Sequence, residues 1–201
     1  MTTTTKQTTD GGFTTVSDAP PKSNMGLIAG AATAGAALGV LAMIGRKAAV
    51  QAPTVLAGDW ADALAAEHKA VLKIFDALEG TDTHNTTRRA ILLTQMRHAL
   101  AKHDVQEANV IYPALREAGQ VEAADSLTKD HGYVKQYLYD LDNCPNDSPE
   151  FLTKVRKFRA DIEKHMTEEE TDLFPALRAQ LSEEKNRQLT TAMNREGFKV
   201  A

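Results

Sequence analysis

Two histidine–glutamate pairs stand at one spacing in two stretches of the chain. His103 and Glu107 lie in AKHDVQEANVIYPALREAG (residues 101–119), and His165 and Glu169 lie in EKHMTEEETDLFPALRAQ (residues 163–180). A step of four residues is about one helical turn, so each imidazole shares a helix face with its carboxylate. Both pairs are followed at the same distance by aromatic-Pro-Ala-Leu-Arg, Tyr112 to Arg116 and Phe174 to Arg178. Imidazole and carboxylate one turn apart, written twice, are the donors of a metal site in two halves.

Two further histidines complete the set. The first helix expected, Trp60 to Leu78, carries the inward stripe Leu64, His68, Val71, Phe75, Leu78, a bundle seam. The second, Thr87 to Ala118, carries Leu93, Met96, Leu100, His103, Glu107, Ile111, Ala114. The third, Val121 to Asp142, repeats the first at an offset of 63 residues with Leu127, His131, Val134, Leu138, Leu141. The fourth repeats the second at an offset of 62 with Val155, Phe158, Ile162, His165, Glu169, Leu173, Ala176. Short loops between these segments predict an all-α fold: an up-down-up-down four-helix bundle formed by a duplicated hairpin. Asp59 and the run Ser148-Pro149-Glu150 read as helix starts, and Ser182-Glu183-Glu184 starts a short last helix.

A single His on such a seam is most often a satisfied core residue. Four, one per helix at mid-height, with two buried carboxylates, are costly unless they share something to bind. Four imidazoles and two carboxylates suit two metal ions. Each takes two histidines, and Glu107 and Glu169 bridge. Iron fits these donors best among abundant redox metals, with manganese or zinc less favoured. Six ligands for two ions leave positions for a small molecule or an oxo or hydroxo bridge. His98, about 140° around the helix from His103, and His84 in a loop should face outward. Asp104 lies at the edge of the inner face, where it can support a ligand, whereas Glu67 and Asp130 are expected in solvent. Pro113 and Pro175 should kink their helices just past the site. Tyr112 and Phe174 are expected in the core, with a gate over an access path as the alternative.

The remaining chain bounds the function. Its 201 residues allow one domain and an appendage, and a net charge of −4 gives no global attraction for nucleic acid. Cys144 is the sole cysteine, which excludes cysteine-rich metal sites and intrachain disulfides. Residues 1–25 are Thr-rich and expected to be disordered. Residues 26–45 are uncharged and rich in Gly and Ala, and Arg46 and Lys47 follow at once. As a helix this N-terminal apolar segment (26–47 with its basic flank) is about 30 Å long, enough for a membrane anchor. The alternative is an Ala-rich helix packed on a partner. The basic flank would place the C-terminal domain in the cytoplasm, anchored at the inner membrane. Residues 48–58 read as a linker and 59–201 as the metal-binding domain.

The pattern of His68, His103 with Glu107, His131, and His165 with Glu169, plus the two aromatic-Pro-Ala-Leu stretches, resembles the haemerythrin-like, or HHE cation-binding, family. The resemblance covers about residues 59–201. It implies a four-helix bundle with a non-haem di-iron centre that binds or reacts with O2, NO or peroxide. Oxygen-carrying haemerythrins have five histidines, with a His-x-x-x-His pair on the third helix. Lys135 stands there in this chain. Their last helix also has an Asp one step later than Glu169. The chain therefore looks like the four-His, two-Glu subgroup, which includes proteins of iron–sulfur-cluster repair and nitric-oxide stress. A sensor or binder of O2, NO or peroxide is the expectation. The alternatives are a repair or peroxide- or NO-reducing enzyme, and an iron-storage or partner-binding bundle.

Overall fold

The computed structural model describes residues 5–7, 13–15, 43, 45, 47, 51 and 54–201. The chain divides into two units, residues 1–43 and 44–201. In the first, β1 (Thr5–Gln7) pairs antiparallel with β2 (Phe13–Thr15), Lys6 opposite Thr14. The Thr-rich tail, expected to be disordered, thus carries a short ladder in its described residues. The apolar segment 26–45 falls, apart from Met43 and Gly45, outside the described residues. Among the described residues no helix is long and apolar enough to cross a membrane.

The second unit is helical. Its elements are α1 (Trp60–Glu79), α2 (Thr86–Gln106), α3 (Tyr112–Glu117), α4 (Val121–Asp142), α5 (Phe151–Glu168), α6 (Phe174–Gln180) and α7 (Glu183–Val200). Asp59 caps α1 by accepting from the N–H groups of Ala61 and Asp62. Gly119 closes α3 at φ 84, a left-handed conformation that lets the N–H of Gln120 reach the Leu115 carbonyl at 2.8 Å. Ser148 does not cap the fourth helix directly. It accepts from the N–H of Glu150, and α5 begins at Phe151. α1 packs on α2 and α5, and α4 packs on α3 and α5, which closes the expected four-helix ring.

The second and fourth helices are each interrupted by a wide π-turn, Glu107–Ile111 between α2 and α3 and Glu169–Leu173 between α5 and α6. The N–H of Tyr112 bonds to the Glu107 carbonyl and that of Phe174 to the Glu169 carbonyl, five residues back rather than four. Each turn lies directly before the proline. In a continuous α-helix the Pro113 ring would press on the carbonyl four residues back, and the wide turn moves that carbonyl away. The extra residue also shifts the inward register by one. Leu115 and Leu177 are fully buried, while Ala114 is half-buried and Ala176 exposed, contrary to the α-periodic stripe.

The core is two apolar clusters with a polar layer between them. One gathers Phe75, Leu78, Met96, Phe151 and Phe158, and the other gathers Trp60, Leu64, Tyr112, Leu115, Leu127 and Phe174. The last helix is not a short appendage. α7 is 18 residues long and packs along α2 and the first π-turn. It also secures the start of α1: Trp60 donates its Nε1–H to Asn186 at 2.9 Å, and its backbone N–H donates to the Thr190 hydroxyl at 3.1 Å. The Trp60 ring meets Phe174 edge-on at 5.4 Å.

Replacing fully buried Trp60 by alanine leaves a large cavity and removes the donor to Asn186 Oδ1. We expect a loss of about 3–5 kcal/mol of stability, read as a lowered denaturation midpoint at unchanged slope.

Candidate metal centre

The structure brings all six sequence-selected side chains into the polar layer. His68 comes from α1, His103 from α2, Glu107 from the first π-turn, His131 from α4, His165 from α5 and Glu169 from the second π-turn. Each is 6% exposed or less. Two groups form: His68, His103, Glu107 and Glu169, and Glu107, His131, His165 and Glu169. In each group the donor atoms lie within 4.8 Å of one another. The two carboxylates belong to both groups. Glu107 Oε2 is 3.2 Å from His103 Nε2 and 3.1 Å from His131 Nε2. Glu169 Oε2 is 3.4 Å from both His68 Nε2 and His165 Nε2. Each carboxylate therefore faces one histidine of each pair.

Several of these atoms have no hydrogen-bond partner although buried: His165 Nε2, Glu107 Oε1 and Glu169 Oε2 among them. Buried donors and acceptors left bare cost on the order of 1–3 kcal/mol each. A set of them aimed at one small volume fits a cation that all would coordinate.

The Nδ1 edge of every imidazole faces a carboxylate. His68 meets Glu170 at 2.8 Å, His103 meets Glu67 at 3.4 Å, His131 meets Asp104 at 2.7 Å and His165 meets Asp130 at 3.6 Å. A carboxylate there orients the ring and presents Nε2 inward as a lone pair. Asp104 takes the supporting place expected of it. Glu67 is a correction: its side chain is 11% exposed, not solvated. The reason is a second buried layer. Lys102 Nζ is 2.6 Å from Glu67 Oε1 and donates to the Thr54 hydroxyl at 2.7 Å, and that hydroxyl donates to Glu67. Lys102 and Gln106 are themselves buried, and neither was marked by the spacing argument, because charged and amide side chains off the apolar seam look like solvent residues. His98 and His84 are exposed, as expected.

Tyr112 is both core and site. Its Oη lies 2.8 Å from His131 Nε2, 3.0 Å from Glu107 Oε2 and 3.3 Å from Glu169 Oε1. Only the residue type at this position, Tyr in one repeat and Phe in the other, signalled a difference between the two halves. Phe174 instead stacks on His68 at 6.4 Å.

Without metal the charges settle unevenly. Burial would raise Glu107, yet the His103 and His131 imidazoles outweigh it and hold this carboxyl well below its usual range. Burial and the Glu107 charge push Glu169 well above it. Burial opposes a charge on His103, but Glu107 and Glu67 overcome it and raise that imidazole well above its usual value. Burial lowers His68 and carries His165 down to about 3. Burial raises Glu67 as well, but the His103 hydrogen bond and the charges of His103 and Lys102 bring it to about 2. In the metal-free centre these shifts favour charge on His103 and Glu107 and oppose it on Glu169, and Asp104 and Glu107 raise His131 against burial.

A mainly apolar cavity of about 220 Å³ between α2, α4 and α5 reaches the centre at His103, His131 and His165, with Leu100, Ile162 and Met166 in its walls. Lys135, where oxygen carriers have a fifth histidine, lies on its rim and pairs with Asp104 at 3.1 Å.

The fold is that of a known structure. The crystal structure of an HHE cation-binding domain-containing protein from Mycobacterium kansasii superposes with a TM-score of 0.63 at 22% identity, covering 71% of this chain and 87% of that one. A haemerythrin-like protein of Schizosaccharomyces pombe is 27% identical over 138 residues, 67% of this chain and 66% of its own length. A DNA nickase of Nostoc is 25% identical over 65% of this chain but only 36% of its own length. The match to a Mycobacterium tuberculosis protein is 30% identical over 54% of this chain and 66% of that protein. The chain therefore spans less than two thirds of these curated relatives. The family model described as "Hemerythrin HHE cation binding domain" matches residues 60–177, more than half of the chain and all six residues of the polar layer. The chain belongs to the haemerythrin HHE cation-binding family, and the His and Glu groups of its polar layer could hold a metal ion.

Proposed function

We propose that the protein is a non-haem di-iron protein that binds, senses or reacts with a small oxidant, O2, NO or peroxide. His68 and His103 hold one ion, His131 and His165 the other, and Glu107 and Glu169 are shared. The observation that carries this reading is the pair of donor groups joined by two common carboxylates, with buried oxygens and a buried Nε2 left bare toward one volume. Nitrogen and oxygen donors without thiolate suit iron. Two iron ions there supply ligand binding and electron transfer toward the small molecule.

The chain's own groups do the rest. Glu170 and Asp104 hold His68 and His131 by Nδ1 and make them stronger donors, and Glu67 and Asp130 face the Nδ1 edges of His103 and His165 at 3.4 and 3.6 Å. The two apolar clusters keep bulk water from the layer. The cavity of about 220 Å³ admits a molecule of a few atoms, and its apolar walls favour an uncharged one.

Anaerobic loading with ferrous iron should give about two ions per chain, followed by spectral change on addition of O2 or NO. Well under one ion per chain sinks the proposal. Glu107→Gln should weaken both ions, because its carboxylate faces a histidine of each pair. His165→Ala should retain about one, by metal analysis after gel filtration. Turnover of peroxide or NO beyond one equivalent would mark an enzyme, and a single equivalent a binder or sensor.

Metal binding must displace the protons favoured on His103, His131 and Glu169, all raised in the metal-free site, so loading should release protons. Apparent affinity should then rise with pH, the slope counting the protons released. Competition titrations at several pH values check the sign, and a flat profile contradicts it.

A further inference from the structure

We propose that the groove between α4 and α5 is the route by which a metal cation enters and leaves the half-site of His131 and His165, while the equivalent route to the half-site of His68 and His103 is sealed. The inference rests on the di-iron reading above and concerns exchange of the ions, not the chemistry they perform.

The first observation is a difference between the two repeats. Offsets of 63 and 62 residues carry Glu67 onto Asp130, Lys102 onto Lys164 and Gln106 onto Glu168. In the first repeat these side chains form a closed layer behind His103. Thr54 and Lys102 both donate to Glu67 Oε1, at 2.7 and 2.6 Å. Gln51 donates to Asn194 of α7 at 3.0 Å. α7 closes on the layer so tightly that a Cβ on Gly197 would lie 2.7 Å from the Gln106 side-chain amide and 2.8 Å from that of Gln51. The three counterparts stand open. The Asp130 side chain is 37% exposed against 11% for Glu67, and Lys164 and Glu168 are exposed. They line a groove of about 780 Å³ between α4 and α5.

The second observation is His165 at the floor of that groove. It is buried, and neither of its ring nitrogens has a hydrogen-bond partner. Its Nδ1 faces Asp130 at 3.6 Å, beyond hydrogen-bond reach, whereas His68 and His131 are tethered through Nδ1 at 2.8 and 2.7 Å. His103 Nδ1 is also without a partner, but it faces the closed layer. His165, Val134 and Ile162 line both the groove and the apolar cavity, so these three side chains are the partition between them. An imidazole without a tether can turn about its side-chain bonds, meet a cation on the groove side and pass it to the Glu107 and Glu169 carboxylates.

The third observation is the chemistry of the two openings. Leu100, Ile162 and Met166 wall the cavity, and apolar walls are costly for a cation that must give up water. The groove offers carboxylates instead: Asp130 faces His165, and Glu168 follows it about one turn along α5. Lys157 and Lys154 lie about two and three turns away along the same helix, and Asp161 pairs with Lys157 at 3.0 Å. An uncharged molecule is suited to the cavity and a cation to the groove, with His165 between the two.

The test loads the full chain anaerobically with ferrous iron and follows transfer of the iron to an excess of a coloured ferrous chelator. We expect two phases of one ion each, differing about tenfold or more in rate. Ser126→Trp places a bulky, uncharged ring in the groove from an exposed position about one turn before Asp130. It should slow uptake and release of the fast ion by the same factor, about fivefold or more, and leave that ion's affinity and the slow ion unchanged. A purely structural effect would change affinity or both phases. Glu168→Gln, also at an exposed position, should slow uptake of the fast ion. Thr54→Ala, which unfastens Glu67, should speed release of the slow ion. Release of both ions in one phase, a fast phase that Ser126→Trp and Glu168→Gln both leave unmoved, or a slow phase that Thr54→Ala leaves unmoved overturns the proposal. Wild type that binds well under one ion per chain overturns the di-iron reading instead.

Discussion

Four imidazoles and two carboxylates are buried between two apolar clusters, and the rest of the domain is arranged around holding them there. Desolvating so many polar groups in one layer is unfavourable unless each finds a partner. On their outer edges two of the imidazoles do, His68 with Glu170 and His131 with Asp104, and the other two face Glu67 and Asp130 at longer range. On their inner edges several do not, and they converge. The domain is thus a sandwich in which apolar packing above and below forces six donors toward one another, an arrangement that a cation would reconcile.

The duplicated hairpin explains how a small number of rules builds this layer. Each repeat supplies one helix with a single histidine and one with a histidine and a glutamate a turn apart. The π-turns are the device that joins chemistry to packing. They begin at the glutamates themselves and end just before the prolines, so the wide turn both accommodates the ring and adds a residue. That extra residue brings Tyr112 and Phe174 onto the inner face, where an unbroken α-helix would have placed their neighbours Ile111 and Leu173 alone.

The repeats are not identical, and the differences fall around the metal layer. Glu67 and Asp130 are equivalent acids, each facing the Nδ1 edge of a histidine of a neighbouring helix. Asp104 and Glu170 have no counterparts at the matching positions, Met166 and Ala108. One acid of the equivalent pair, Glu67, is further held by Lys102 and Thr54, so the segment entering α1 is hydrogen-bonded to the support of His103. The symmetry of the donor set therefore does not extend to its surroundings.

The six inner residues, the four helices and the duplication were legible in the sequence, because a seam of period 3.6 and a repeated four-residue step survive any detail of packing. Outward placement of His84 and His98 followed from the same periodicity. What the sequence could not show depended on distances across the bundle. The roles of Glu67 and Asp130 come from helices that meet them from elsewhere in the chain, and Lys102 is buried only because Glu67 and Thr54 face it. The one-residue shift to Leu115 and Leu177 belongs to a hydrogen-bond pattern that α-periodicity does not contain. The place of Tyr112 among the carboxylates was decided by that shift together with α4 bringing His131 to its hydroxyl. Local spacing selects which groups share a face; only tertiary packing decides what that face meets, because desolvation and charge act through space and not along the chain.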